Sequence, residues 1–449
     1  MKRRLTYGLV IVVLLANLAI GARLYLGSAA AAEKDSAYPN LELFSVVMEK
    51  IRKDYVDGTN TTYQELVYGA LKGMVNTLDP HSEFLEPEKY KELQNDTQGQ
   101  FGGLGIVVSL KDEYLTVVAP MEDTPGFRAG ILTGDRIIKI DGKSTERLGL
   151  PEAVKNLRGD PGTEVTITVQ RPSTGVTKEM RLMRAIINVD MAKDINGKKQ
   201  FPIGESKIGY IRLTQFGEKT ADELETGLKK LKNQGMQAII LDLRGNPGGL
   251  LDQAVDVCEK FLPRGQLVVS TEGRNSIQKY PARGRGDELK NMPMVVLVNG
   301  GSASAAEIVA GCLQDVKRAV LLGEKTFGKG SVQSIVPLQN GAALRLTTAK
   351  YYTPSHKVIH EHGITPDIEV PISDEEERAL VLKRSPGGLE TLEAKDREAV
   401  EKLRDPQVDR AMDVLKGIML FTKRAPSFEE QRKNEKIAAA SGEETSKPR

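Results

Sequence analysis

The stretch MPMVVLVNGGSASAAEIVAGCLQDV, Met292 to Val316, decides how this chain folds. Met292 to Asn299 is a short apolar run of strand type. Gly300 and Gly301 break it, and a helix is expected from about Ser304. Ala305, Ile308, Val309, Cys312, Leu313 and Val316 share one stripe, so this helix packs on a sheet. Ser304-Ala-Ala-Glu307 also spells a capping box, in which hydroxyl and carboxylate each take a free N–H at the helix start. A serine at such a junction lies at the carboxyl end of the sheet, where open α/β folds place ligands. The N–H groups and positive dipole beneath it suit an oxyanion. Ser304 is therefore either a cap or a nucleophile, and caps are the commoner.

The pattern recurs on both sides. IGYIRL, QAIILDLR and RAVLLGE are further apolar runs and ADELETGLKKLKNQG is helical, so residues 186–372 are expected to form an α/β domain. LDLRGNPGGLLDQAV, Leu241 to Val255, is a second strand, turn and helix, where Gly248 and Gly249 present N–H groups at another helix start. GEKTFGKGSVQSIVPL, Gly323 to Leu338, sets Lys329 between two glycines that let the backbone pass close while the amine reaches inward. To act as a base, Lys329 needs its pKa brought from ~10.4 toward neutrality, which burial in an apolar pocket achieves. Gln333 on the same face can orient the amine. The plainer reading of Lys329 is a solvated loop cation. His81, His356, His360 and His362 offer the usual base, but none has a carboxylate partner at a telling position.

Residues 101–185 are β-rich, with IVVSL, LTVVAP, RIIKIDG and EVTITVQR separated by Gly, Asp and Pro turns. FGGLGIVV, Phe101 to Val108, opens this segment with a glycine-rich turn that forms an anion-binding nest, and its strand edge can accept an extended peptide. TPGFRAGILTGDRIIKIDG and LRGDPGTEV follow, and together these motifs resemble a PDZ domain in circularly permuted order. The resemblance implies that Gly103, Leu104, Gly105 and Ile106 hold a terminal carboxylate. Arg158, in LRGDPG, is suggested to couple tail occupancy to the catalytic groups across a face turned to the core.

Residues 38–100 carry helical periodicity. Residues 373–449 are charged and helix-like, with a polar end expected to be disordered. At the N-terminus, Lys2-Arg3-Arg4 leads the apolar run from Leu5 to Gly21, and small residues follow to Ala32. Residues 1–32 thus form an export signal, either cleaved or kept as a membrane anchor, and the body is expected outside the cytoplasm, in the periplasm. The chain has 449 residues, with 63 Lys plus Arg against 61 Asp plus Glu, a near balance that gives no reason to invoke nucleic acid. Cys258 and Cys312 both sit in apolar helical patterns and read as buried free thiols.

Residues from about Leu41 to Val370 resemble the carboxyl-terminal processing proteases. LDPHSEFL, FGGLGI, IGYIRL, LDLRGNPGG, VNGGSASAAEI, GEKTFGKGSVQ and YYTPS occur in that family's order. The resemblance implies an α/β protease core of the Clp peptidase or crotonase type, with an inserted PDZ domain between helical terminal segments. It implies a serine endopeptidase that reads the free C-terminus of protein substrates. Ser304 is then the nucleophile, Lys329 the base and Gln333 its positioner, with the N–H groups of Ala305 and Gly248 as the oxyanion hole. Ser302 lies too early to head the helix. No cofactor or metal is implied, and the loop HKVIHEHGITPD lacks a recognised zinc spacing. The terminal helices either pair as a homodimer interface, as in relatives, or cover the core. Two rival readings are an inert PDZ adaptor and a penicillin-binding-type hydrolase at Ser276-Ile-Gln-Lys279, which lacks the partner motifs.

Overall fold

The computed structural model describes residues 37–424, apart from 58–61, 112, 122–123, 133, 173, 285–288, 290, 385–388 and 390–391. The export signal and the polar end beyond residue 424 lie outside the described residues. Among those described, no helix is long and apolar enough to cross a membrane.

The chain divides between Phe84 and Leu85 into two units. The first holds α1 (Ala37–Asp54) and α2 (Tyr63–Asn76). Thr62 caps α2 from the extended region, at φ −67° and ψ 151°. Its hydroxyl accepts the Glu65 N–H at 3.2 Å, while Glu65 accepts the Thr62 N–H at 3.1 Å.

The second unit begins with α3 (Pro87–Gln98) and β1 (Gln100–Gly103). A β-rich module follows: β2 (Ile106–Lys111), β3 (Tyr114–Pro120), α4 (Pro125–Arg128), β4 (Arg136–Ile140), α5 (Leu150–Leu157), β5 (Glu164–Arg171) and β6 (Val176–Met183). Its sheet runs β2-β3-β4-β5-β6 with antiparallel neighbours, which leaves β2 at an edge among the described residues. Alternate residues point inward, as a half-buried strand requires: Val165, Ile167 and Val169 meet Leu115, Val117 and Ile137, and Ala153 and Leu157 of α5 close the core. β7 (Ala185–Asn188) then pairs antiparallel with β1.

The rest of this unit builds a six-stranded central sheet. In chain order its elements are β8 (Ala192–Lys193), β9 (Ile208–Leu213), α6 (Thr220–Asn233), β10 (Ala238–Asp242), α7 (Leu251–Glu259), β11 (Leu267–Gly273), β12 (Ile277–Pro281), β13 (Met294–Val298), α8 (Ala305–Asp315), β14 (Val320–Gly323), β15 (Ser331–Pro337), β16 (Ala343–Tyr352) and β17 (Ile368–Glu369). The sheet order is β8-β9-β10-β13-β14-β17, parallel except at β8. β11, β12, β15 and β16 pair separately as antiparallel strands.

Burial on both faces explains the unbroken apolar runs of the parallel strands. Ile211, Leu213, Ile239, Leu241, Val296 and Val298 pack with α6, α7 and α8. Tyr210, Ile240, Val295 and Leu297 face the other side, against Val408, Ala411 and Leu415 of α11 (Pro406–Arg424). α9 (Asp374–Arg384) and α10 (Ala394–Lys402) lead to it. α11 thus covers this face of the sheet. α8 departs from the expected single stripe, because every residue from Ala305 to Leu313 is buried.

Cys258 and Cys312 are free and buried on neighbouring helices α7 and α8, and burial pushes the Cys258 thiol well up. Ser276 lies in the turn joining β11 to β12, and Lys279 pairs with Ser270 across that hairpin. The Ser-x-x-Lys string is therefore not one turn of a helix, and the penicillin-binding reading falls.

Candidate active site

β10 and β13 end side by side, and the turns that leave them are tied together. Asn299 Oδ1 accepts the N–H of Gly245 at 2.8 Å and that of Gly301 at 3.1 Å. The Asn246 carbonyl accepts the Ala303 N–H at 2.9 Å. Ser302 is fully buried and structural: its Oγ donates to the Leu243 carbonyl at 2.8 Å and accepts the Asn299 N–H at 3.0 Å.

Ser304 heads α8 at φ 54° and ψ −114°. The capping-box glutamate does accept the Ser304 N–H, but helix caps usually sit in the extended region, as Thr62 does, and this backbone lies outside it. A non-glycine residue at positive φ is strained, and such strain persists where the surroundings over-determine it. Here they do. A serine on a sharp, strained turn from strand to helix presents its hydroxyl at the carboxyl end of the sheet.

The Glu307 carboxylate is fully buried and accepts four hydrogen bonds. Oε2 takes the N–H of Ser304 at 2.9 Å and the N–H of Lys329 at 2.9 Å. Oε1 takes the Thr326 hydroxyl at 2.6 Å and the Gly328 N–H at 2.7 Å. One side chain thus clamps the lysine loop to the start of the serine's helix. In the sequence Glu307 reads only as half of a cap, and its spacing gives no sign of the second loop.

Lys329 is half-buried, and its ammonium has no hydrogen-bond or ion-pair partner among the described residues. Burial pulls its pKa below the usual lysine range, and the positive charge of Arg345 adds to the effect. Gln333 donates from Nε2 to Ser331 Oγ at 2.8 Å and to Thr347 Oγ1 at 3.5 Å. Its partners among the described residues are thus strand neighbours, not the amine.

Gly248 lies against the serine. A Cβ there, at φ 95°, would fall 2.8 Å from Ser304 Cβ and 2.9 Å from the Ala305 nitrogen, so only glycine fits. Ala305 is the first residue of α8, where N–H groups lack intrahelical partners. The Gly248 N–H, however, donates to Asn246 Oδ1 at 2.9 Å. One of the two expected oxyanion donors is engaged within its own turn.

The histidine loop packs elsewhere around the lysine. Glu361 N–H donates to the Gly328 carbonyl at 2.8 Å. His356 Nε2 lies 2.7 Å from Glu272 Oε1, and its ring stacks on Tyr352. No hydrogen bond joins His356, His360 or His362 to Ser304 among the described residues. No group of three His, Cys, Asp or Glu among those residues is placed to hold a metal.

In the β-rich module, Gly103 ends β1, Leu104 is buried in the core, and Ile106 begins the edge strand β2. The Leu104 carbonyl accepts the Gly126 N–H at 2.8 Å, and the Gly105 carbonyl accepts the Met121 N–H at 2.8 Å. Both carbonyls are thus taken by the module itself. Arg158 lies where α5 ends, its guanidinium 4.6 Å from the Phe101 ring centre and 3.8 Å from Asp96 of α3. Its partners are α3 and β1 rather than the turns of Gly248 and Ser304. That half-exposed ion pair adds little stability.

Comparison with known proteins agrees with this architecture. Residues 207–370 match peptidase family S41, and residues 116–171 match the PDZ domain. The chain is 45% identical over 343 residues to a carboxy-terminal-processing protease of Bartonella bacilliformis, covering 75% of this chain and 76% of the relative. It is 35% identical over 350 residues to the carboxy-terminal processing protease CtpA of Bacillus subtilis, covering 78% and 72%. Among solved structures it is similar to a photosystem II D1 C-terminal processing protease, with 28% identity, a TM-score of 0.44, and coverage of 77% of this chain and 97% of that one.

Proposed function

Since the chain belongs to the carboxy-terminal-processing proteases of peptidase family S41, serine-type peptidases here equipped with a PDZ domain, we propose that Ser304 is its nucleophile and Lys329 its general base. Family membership also sets aside the inert-adaptor reading. The observation that carries the proposal is the strained backbone of Ser304 at a helix start clamped to the lysine loop.

The neutral amine of Lys329 takes the hydroxyl proton as Ser304 Oγ attacks the scissile carbonyl. The N–H groups of Ala305 and Gly248 receive the oxyanion, once Gly248 has exchanged Asn246 for it. Lys329 then passes the proton to the leaving amine, leaving an ester on Ser304. Water, deprotonated by the same amine, hydrolyses that ester to a carboxylate and restores the serine. The side chain of Gln333 steadies the amine when it turns from Ser331.

The substrate is a polypeptide with a free C-terminus. Its last residues add to the edge of β2, with the terminal carboxylate on the N–H groups of the Gly103–Ile106 loop. Arg158, leaving Asp96, is the natural relay between tail and core. The basic and apolar N-terminal residues support a location outside the cytoplasm, in the periplasm, with the leader either cleaved or kept as a membrane anchor. The test is cleavage of one peptide with a free and an amidated C-terminus by the wild type, Ser304→Ala and Lys329→Ala. The reading requires loss of cleavage in both variants and a preference for the free tail; cleavage that survives Lys329→Ala would shift the base to a histidine.

A further inference from the structure

Where β10 leads into the Gly248 turn, a buried ionic cluster lies outside the catalytic scheme. Arg244, 4% exposed, folds back onto the fully buried Asp242. Its N–H and Nε donate to Oδ1, each at 2.9 Å, and its Nη2 donates to Oδ2 at 2.6 Å. The Tyr210 hydroxyl donates to the same Oδ2 at 2.5 Å. Burial alone would raise the Asp242 pKa, but the Arg244 charge and hydrogen bonds hold it well below the usual range.

The far side of the guanidinium is filled from the C-terminal segment. Nη1 donates to Asp405 Oδ1 at 3.1 Å and to Gln407 Oε1 at 2.8 Å, and Nη2 donates to Asp405 Oδ2 at 2.9 Å. Asp405 also pairs with Arg384 and accepts the N–H groups of Gln407 and Val408, each at 3.1 Å, at the start of α11. Gln407 Nε2 donates to the Val370 carbonyl at 2.7 Å. Asp242 and Asp405 thus face Arg244 and Arg384, and Arg212 adds a third positive charge beside Asp242, its Nη2 donating to the Arg244 carbonyl at 3.3 Å.

Such buried networks add little net stability over a well-packed apolar core. Well-partnered members such as Arg244 and Asp405 do rigidify what they touch. What this network touches is the chain leaving β10. Directly after Arg244 come Gly245 and Asn246, tied to Asn299 and Ala303, and then Gly248 against Ser304.

We propose that Asp405 and Gln407 are positioning residues for the oxyanion turn. From the start of α11 they hold Arg244, and through it Gly248, in register with Ser304. The C-terminal helices thereby belong to the catalytic unit as well as covering the sheet. This inference rests on Gly248 serving as an oxyanion donor.

The experiment uses the full chain with Asp405→Asn, Asp405→Glu, Gln407→Met and the surface control Arg404→Gln. A peptide aldehyde, which forms a tetrahedral adduct with an active serine, reports on the oxyanion site. In Asp405→Asn, kcat and aldehyde affinity should fall together by about 10- to 100-fold, short of the loss of a whole oxyanion donor, with KM within about twofold. Gln407→Met should show the same pattern at about 3- to 10-fold, and Asp405→Glu should recover part of the loss. Arg404→Gln should match the wild type. If Asp405→Asn does not fold, Gln407→Met decides. Unchanged kcat in a folded variant, or a loss confined to KM, overturns the proposal. Gly248→Ala separates the two layers. If it leaves aldehyde affinity intact, the oxyanion reading itself fails; if it weakens the aldehyde while Asp405→Asn and Gln407→Met do not, only the positioning role fails.

Discussion

The backbone N–H groups of Ser304 and Lys329 end on the same oxygen, Oε2 of Glu307, each at 2.9 Å. The strand-to-helix turn of Ser304 and the loop that carries Lys329 are therefore held by one buried carboxylate. Glu307→Gln keeps the shape but turns an NH2 toward N–H or hydroxyl donors, leaving buried groups unpaired. A stability loss of about 2–3 kcal/mol is expected, with kcat down by about 100-fold and KM nearly unchanged. Thermal unfolding and steady-state kinetics on the same preparation check both parts. Full kcat in Glu307→Gln would show that the clamp does not serve catalysis.

Strain at Ser304 makes a prediction that a cap does not. Glycine relieves a positive φ, so Ser304→Gly should be inactive yet more stable than Ser304→Ala by about 1 kcal/mol. Thr62→Ala removes a true cap and should cost about 1 kcal/mol. Chemical denaturation of the three variants decides the matter. Were Ser304→Gly the less stable of the serine pair, the hydroxyl's site would not be strained.

A general-base role for Lys329 would set the pH dependence. Burial, then the charge of Arg345, lowers its pKa in the folded state, and only the neutral amine can accept a proton. kcat/KM should thus rise with pH through that lowered value. The sign for stability is the reverse of a paired lysine. Between the folded pKa and the unfolded value of ~10.4 the unfolded chain binds more protons, so the cost of the buried ammonium is complete below the folded pKa and vanishes as pH approaches ~10.4. Lys329→Met should be inactive and more stable than the wild type at about pH 7, with the advantage shrinking by about pH 9.5. Urea denaturation at both pH values tests this, and a wild type more stable than the variant at the lower pH would contradict it.

Tail reading should depend on Gly105. A Cβ there would lie 2.2 Å from Thr124 Cβ at φ 67°. Gly175, also at φ 67°, has nothing within 4 Å. Gly105→Ala should weaken binding of a free-tailed peptide to the Ser304→Ala protein by about tenfold or more, whereas Gly175→Ala, with backbone strain alone, should leave affinity unchanged. Fluorescence titration measures both, and equal affinities would remove the loop from tail recognition.

Much of this was legible in the residues because the elements are local. Apolar runs at β9, β10 and β13, with glycine turns behind two of them, announce parallel strands feeding helices, and they place Ser304 and Gly248 at one end of a sheet. The PDZ-like turns are equally local. What stayed hidden depends on contacts far apart in the chain. Glu307 reads as a cap because it stands three positions after Ser304, while its bonds to Thr326, Gly328 and Lys329 come from a distant loop. Arg244 meets Asp405 across a separation of 161 residues, which no periodicity reveals. The bond from Gly248 to Asn246 is local but conformational, since the same letters allow the N–H to point either way.

The most direct measurement is mass-spectrometric mapping of the adduct left by a peptidyl fluorophosphonate, which phosphonylates an activated serine. A single label on Ser304 in the wild type, lost in Lys329→Met although that protein stays folded, is the result expected of a Ser–Lys pair. A label on Ser302 or any other serine, or undiminished labelling of Ser304 without the lysine, would contradict it.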